Sequence, residues 1–87
     1  MIQIITIPKL GLTMEKGIVS QWFVKEGDFI SKGEPLFVLE TDKITNDVES
    51  PEAAYVIAIL VEEGQECDVH APVCVLGDKG EKYDSHA

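Results

Sequence analysis

Arginine is absent from this chain of 87 residues, and its seven lysines face sixteen aspartates and glutamates, a formal net charge of −9. A surface with that balance repels phosphate backbones and anionic headgroups, so neither nucleic acid nor a membrane surface is an expected partner. Cysteine is scarce. The two residues, Cys67 and Cys74, cannot build the disulfide framework of a small secreted fold. With His70 they spell C-x2-H-x3-C, three ligands where a closed zinc site takes four, so no metal is expected and both read as small, half-buried apolar residues of strands. Long apolar runs are lacking too. The longest, residues 53–61, has nine residues, far below the roughly 20 of a membrane-spanning helix. No cationic stretch followed by an apolar one opens the chain, so no secretory signal is expected and a soluble compartment is. The length suffices for one small domain rather than two.

What is present is β-forming and closely punctuated. Pro8, Gly11, Gly17, Gly27, Gly33, Pro35, Pro51, Gly64, Pro72 and Gly77 cut the chain into short pieces, which allows short strands and forbids a long helix. Between the breaks lie six runs rich in Val, Ile, Thr and aromatics, at residues 2–7, 18–24, 36–41, 44–48, 55–61 and 73–76. Trp22 and Phe23 are expected in the core. Residues 1–78 read as the folded domain, and the polar stretch 79–87 as a tail or the start of a linker.

The chain also repeats itself. A shift of 37 residues lays Val24-Lys25-Glu26-Gly27 on Val61-Glu62-Glu63-Gly64, Pro35 on Pro72, Val38-Leu39 on Val75-Leu76 and Val19 on Val56. Each half reads strand, turn with a glycine, short extended segment, proline, strand. One such unit cannot bury an apolar face alone, so the two are expected to pair as a flattened all-β sandwich or barrel with approximate two-fold symmetry.

One stretch stands outside the repeat. Residues 39–48 join two β runs through Thr41-Asp42-Lys43 with neither Gly nor Pro, so a hairpin is expected with Asp42 and Lys43 at its tip. Asp42 suits the turn because its carboxylate can accept a hydrogen bond from the backbone two residues on. On spacing alone, a lysine there reads by default as a solvated charge that blunts an exposed edge.

The string E-T-D-K at residues 40–43, with E-S-P at 49–51, P-K-L-G-L-T-M-E-K-G at 8–17 and W-F-V-K-E-G-D at 22–28, resembles the lipoyl domains of 2-oxoacid dehydrogenase complexes. The likeness runs from residue 2 to residue 77. It implies a flattened β-barrel of two four-stranded antiparallel sheets with a quasi-two-fold axis, in a domain that is not catalytic by itself. It implies that lipoic acid is amide-linked to Lys43 and forms a swinging arm. The arm would accept an acyl group from a thiamine-diphosphate-dependent decarboxylase component and pass it to coenzyme A at an acyltransferase catalytic domain. Dihydrolipoamide dehydrogenase would then reoxidise it, and a lipoate ligase or lipoyl transferase would install it. Glu40, Thr41, Asp42 and Ile44 beside the lysine, and Leu10, Gly11, Leu12, Thr13, Met14 and Glu15 in the preceding loop, would be read by those partners. The acidic group Glu40, Asp42, Asp47 and Glu49 reads equally as an ordinary solvated strand face. P-K-L-G-L-T-M is closer to the pyruvate and acetoin dehydrogenase carriers than to the branched-chain or 2-oxoglutarate ones. The domain is then expected as a monomer, in the bacterial cytoplasm or the mitochondrial matrix.

Two features qualify the resemblance. Eleven residues past the lysine, where lipoyl domains carry glycine, this chain has Ala54, the repeat mate of Gly17. Biotin carrier domains share the fold but flank their lysine with methionines, whereas Asp42 and Ile44 stand here. An unmodified lipoyl-like interaction module is the other alternative, and it would carry a long helical insertion between the two halves. The H-x-x-x-D-G motif of acyltransferase catalytic domains does not occur in the chain.

Overall fold

The computed structural model describes residues 2–11 and 13–81. Of the polar stretch 79–87, the residues from 82 onward lie outside those described, as does Leu12. Eight strands form: β1 (Gln3–Thr6), β2 (Lys16–Trp22), β3 (Phe29–Ile30), β4 (Pro35–Glu40), β5 (Thr45–Glu49), β6 (Ala54–Ile59), β7 (Gln65–Asp68) and β8 (Pro72–Gly77). They make two four-stranded antiparallel sheets, in the orders β1-β8-β6-β3 and β5-β4-β2-β7. The molecule is flattened, 38 × 29 × 21 Å. The expected all-β fold of two four-stranded sheets is the one observed, and no helix occurs among the described residues.

The sheets interchange when β1, β2, β3 and β4 are matched to β5, β6, β7 and β8. The correspondence extends to single residues. Val19 pairs with Leu39 and Trp22 with Phe37, while Val56 pairs with Leu76 and Ile59 with Cys74, each offset by 37. Even the irregularity repeats, with the register shifting between Val19 and Gln21 in one sheet and between Val56 and Ala58 in the other. Each half places strands in both sheets, so neither sheet can form from one half alone.

The repeated glutamate of the two E-G turns owes its place to this exchange. The Trp22 N–H donates to Glu63 Oε2 at 2.8 Å, and the Ile59 N–H donates to Glu26 Oε2 at 2.8 Å. Each turn thus satisfies an N–H at the strand end of the other half, where the ladder has run out. Gly27 and Gly64 (φ 95° and 86°) take the left-handed conformation, and their N–H groups donate to the Val56 and Val19 carbonyls.

Between the sheets lie Ile7, Val19, Leu36, Phe37, Leu39, Val56, Val73 and Leu76, all essentially without exposure. Trp22 covers the margin of this core, half-buried, with its ring 4.9 Å from that of Phe37 and its Nε1–H donating to the Val61 carbonyl. Phe23 corrects the expectation. It follows the last residue of β2 and is 45% exposed, because successive side chains point to opposite faces and Trp22 takes the inner one. Phe29–Ile30 and Gln65–Asp68, expected only as extended segments, are true strands. Each pairs with the second strand of the other half, β3 with β6 and β7 with β2. Cys67 and Cys74 are free and buried rather than half-buried, Cys74 entirely so, and burial pushes the Cys74 thiol up to about 12. His70, the repeat mate of Gly33, keeps the left-handed conformation of its partner (φ 72° against 86°).

Candidate functional site

The lysine of interest lies in the hairpin between two strands of one sheet. β4 and β5 are joined by residues 41–44, and Lys43 stands exposed there beside Asp42. The turn is held by Thr41. Its N–H donates to the Ile44 carbonyl at 2.7 Å, and its hydroxyl oxygen accepts from the N–H groups of Ile44 (3.0 Å) and Lys43 (3.3 Å). The same hydroxyl lies 3.2 Å from the Ile44 carbonyl oxygen, to which it donates. The side chain that closes the tip is therefore the threonine, not Asp42 as expected. A residue at the first position of the turn reaches both following N–H groups, whereas Asp42 sits at the second and points outward.

Alongside the hairpin lies an open hollow of about 500 Å³, with Thr13 to Ile18 on one side, Glu40 to Lys43 on the other and Glu66 of β7 at its edge. The structure thus gathers Thr13, Met14 and Glu15 of the first loop with Glu40, Thr41, Asp42 and Lys43. It does not bring Leu10, Gly11 or Ile44 into that lining. Leu10 packs half-buried against the core and donates its N–H to Met14 Sδ at 3.2 Å. The exposed Gly11 accepts from the Met14 N–H at 3.2 Å, and Ile44 is 44% exposed. Asp47 and Glu49 lie exposed along β5, outside the hollow.

Sequence reasoning missed Lys16, Gly17, Ile18 and Glu66. The first three are on β2, and the register sets Glu66 opposite Ile18. No local spacing announces Glu66, since 26 residues separate it from Glu40. Lys16 and Glu66 form an exposed ion pair at 4.0 Å, a contact that contributes little by itself. Gly17 is a close approach. A Cβ built on it would lie 2.5 Å from Leu39 Cδ1 and 3.2 Å from Met14 Cε, so the bare Cα is what lets the strand leading to the lysine and the loop pack together.

Among the described residues Lys43 makes no ion pair, and no group of three or more His, Cys, Asp or Glu is placed to hold a metal. Its amine has an exposed stem, a hydrogen-bonded turn at its base and open space beside it. That arrangement suits a covalent attachment point: an acyl group added at Nζ disturbs no buried contact.

The profile of the biotin- and lipoyl-attachment family, described as "Biotin-requiring enzyme", matches residues 3–76. The chain is 37% identical over 83 residues (95% of it) to the dihydrolipoyllysine-residue acetyltransferase component of the acetoin cleaving system of Bacillus subtilis. It is 42% identical over 78 residues (88% of it) to the corresponding component of the pyruvate dehydrogenase complex of Rhizobium meliloti. It spans only about a fifth of those relatives, 21% and 17% of their lengths. Among solved structures, the lipoyl domain of the 2-oxoglutarate dehydrogenase complex of Azotobacter vinelandii has the same fold, with a TM-score of 0.74 and 24% identity. The match covers 90% of this chain and all of that one. A single-chain long-chain acyl-CoA carboxylase contains the fold too, with a TM-score of 0.74 and 22% identity over 92% of this chain and 7% of the larger one. The chain belongs to the biotin- and lipoyl-attachment family, and it is a lipoyl domain related to those of dihydrolipoyllysine acyltransferase components.

Proposed function

We propose that this domain is an acyl carrier, with lipoic acid amide-linked to Lys43 Nζ. The observation that carries the reading is the exposed lysine on the Thr41-braced turn, with no ion pair to break and open space beside it. The residues fit the group, since amide formation needs only a reachable amine and the loss of one positive charge. When bound, the dithiolane supplies the redox and acyl-carrying chemistry. The domain presents the amine at the tip of a hydrogen-bonded turn and is not catalytic by itself. Tethering raises the effective concentration of the arm at successive active sites.

Glu15, Glu40, Asp42 and Glu66 line the hollow beside Lys43. They form an acidic face that a basic partner surface can read, and modification makes the chain more acidic still, from −9 to −10. The partners are a lipoate ligase or lipoyl transferase, a decarboxylase component, an acyltransferase catalytic domain and dihydrolipoamide dehydrogenase. P-K-L-G-L-T-M and the relatives from acetoin and pyruvate systems support a carrier of one of those two complexes. Residues 1–78 are the carrier domain. The working compartment is the bacterial cytoplasm or the mitochondrial matrix.

Incubation with lipoate ligase, lipoate and ATP should add one lipoyl group, at Lys43, and Lys43→Gln should abolish it without changing the fold. Modification at another lysine, or labelling by biotin ligase and biotin in place of lipoate, would overturn the assignment. Reductive acylation by purified pyruvate and acetoin decarboxylase components decides between the two complexes.

A further inference from the structure

The hairpin tip has almost nothing to hold it. Asp42, Lys43 and Ile44 are exposed, so no burial fixes the shape of the turn. What fixes it is one main-chain bond, from the Thr41 N–H to the Ile44 carbonyl, and one hydroxyl on that half-buried residue, accepting from two N–H groups and donating to the same carbonyl. The fold supplies its own comparison. The repeat mate of residues 41–44 is the turn 78–81 at the end of β8, which also exposes a lysine, Lys79, between acidic neighbours.

That second turn is built from its opposite end. The Glu81 N–H donates to the Asp78 carbonyl at 3.0 Å, and the Asp78 N–H donates to Glu81 Oε1 at 2.8 Å. Its lysine occupies the second position, and the third is Gly80 in the left-handed conformation (φ 83°). Both turns expose an amine beside acidic residues, and they differ in backbone shape and in the position from which the lysine leaves it.

We propose that Thr41 is a positioning residue that selects Lys43 for acylation: its hydroxyl holds the 41–44 turn in the shape that presents the third residue's amine to a ligase. This rests on the carrier reading above. With the hydroxyl removed, the Lys43 and Ile44 N–H groups turn to water, and the tip spreads over several conformations. A ligase that binds one of them then sees a protein competent only part of the time. The apparent KM rises by the inverse of that fraction, while kcat for the bound turn is unchanged.

The test uses the whole chain as wild type, Thr41→Val and Thr41→Ser, with lipoate ligase, lipoate and ATP. Thr41→Val keeps shape and bulk without the hydroxyl and should raise KM for the domain about tenfold at constant kcat, the scale of about one lost net hydrogen bond. Thr41→Ser should stay close to wild type. Amide exchange at Lys43 and Ile44 should quicken in the valine variant alone, and chemical acylation of Lys43 by a small activated ester should be equal in all three. A valine variant with wild-type KM overturns the inference and leaves the carrier reading intact, as does a serine variant as slow as valine. Failure of the wild type to be modified overturns both.

Discussion

Gly17 and Ala54 occupy equivalent places in the two halves, yet they should not tolerate the same side chain. A methyl group added at Gly17 would stand 2.5 Å from Leu39 Cδ1, whereas non-bonded carbons rest at about 3.5–4.0 Å, so something must move by about 1 Å. Leu39 has no exposure, so its shift must be taken up by the packed core, and Met14 Cε is a second close neighbour at 3.2 Å. Overpacking of this kind costs about 1–3 kcal/mol, against a gain of about 0.4–1 from the stiffer unfolded chain. Gly17→Ala should therefore destabilise by about 1–2 kcal/mol, and each kcal/mol corresponds to about 4–8 °C in Tm for a domain of this size. The reciprocal Ala54→Gly should lose about 0.5–1 kcal/mol, since it creates no clash and costs backbone entropy and the contact of one half-buried methyl group. Urea and thermal unfolding followed by the fluorescence of Trp22, the single tryptophan, measure both. Leu39→Val, which lacks the offending atom, should remove most of the Gly17→Ala penalty in a double-mutant cycle. A Gly17→Ala protein as stable as wild type, or a penalty unchanged in the Leu39→Val background, would refute the close-approach argument.

Two further outcomes follow from the same packing. Glu63→Ala removes the acceptor of the Trp22 N–H and should cost about 1 kcal/mol, below the roughly 1.5–3 of a charged acceptor because the site is exposed; Glu63→Gln should cost less, and Glu26→Ala, its repeat mate, about the same. Equal stabilities of wild type and Glu63→Ala would show that the cross-half bond is incidental. The Cys74 thiol, raised by burial from the ordinary value of 9.0 to about 12, should resist alkylation in the native protein and react only through unfolding. Because the folded value is the higher one, its contribution to stability is complete below pH 9 and is lost as pH rises from 9 toward 12, which urea titrations across that range should show.

Much of the molecule is legible in the chain. A repeat that carries Val19 onto Val56, Pro35 onto Pro72 and Leu39 onto Leu76 amounts to a statement of topology, since both halves must share one core. Lys43 is legible too, because a β-rich run, a short polar segment and another β-rich run leave it nowhere but a hairpin tip. These features depend on local preference, alternation and spacing, which act along the backbone and survive being written as a string.

The rest was decided in three dimensions. Phe23 and Trp22 are adjacent aromatics of similar character, and only the termination of β2 against Val61 and Phe37 sends one inward and the other out. Gly17 and Ala54 look interchangeable until the Leu39 side chain arrives from another strand. Glu66 enters the lysine hollow through a pairing with Ile18, and Thr41 displaces Asp42 as the turn's brace because its oxygen lies within reach of two N–H groups. Composition and periodicity determined by themselves that this chain is a β-sandwich of two like halves with one lysine at a tip. The tertiary structure alone decided which neighbours each side chain meets, because contacts between strands far apart in sequence depend on ångström-scale register and volume, which no one-dimensional spacing encodes.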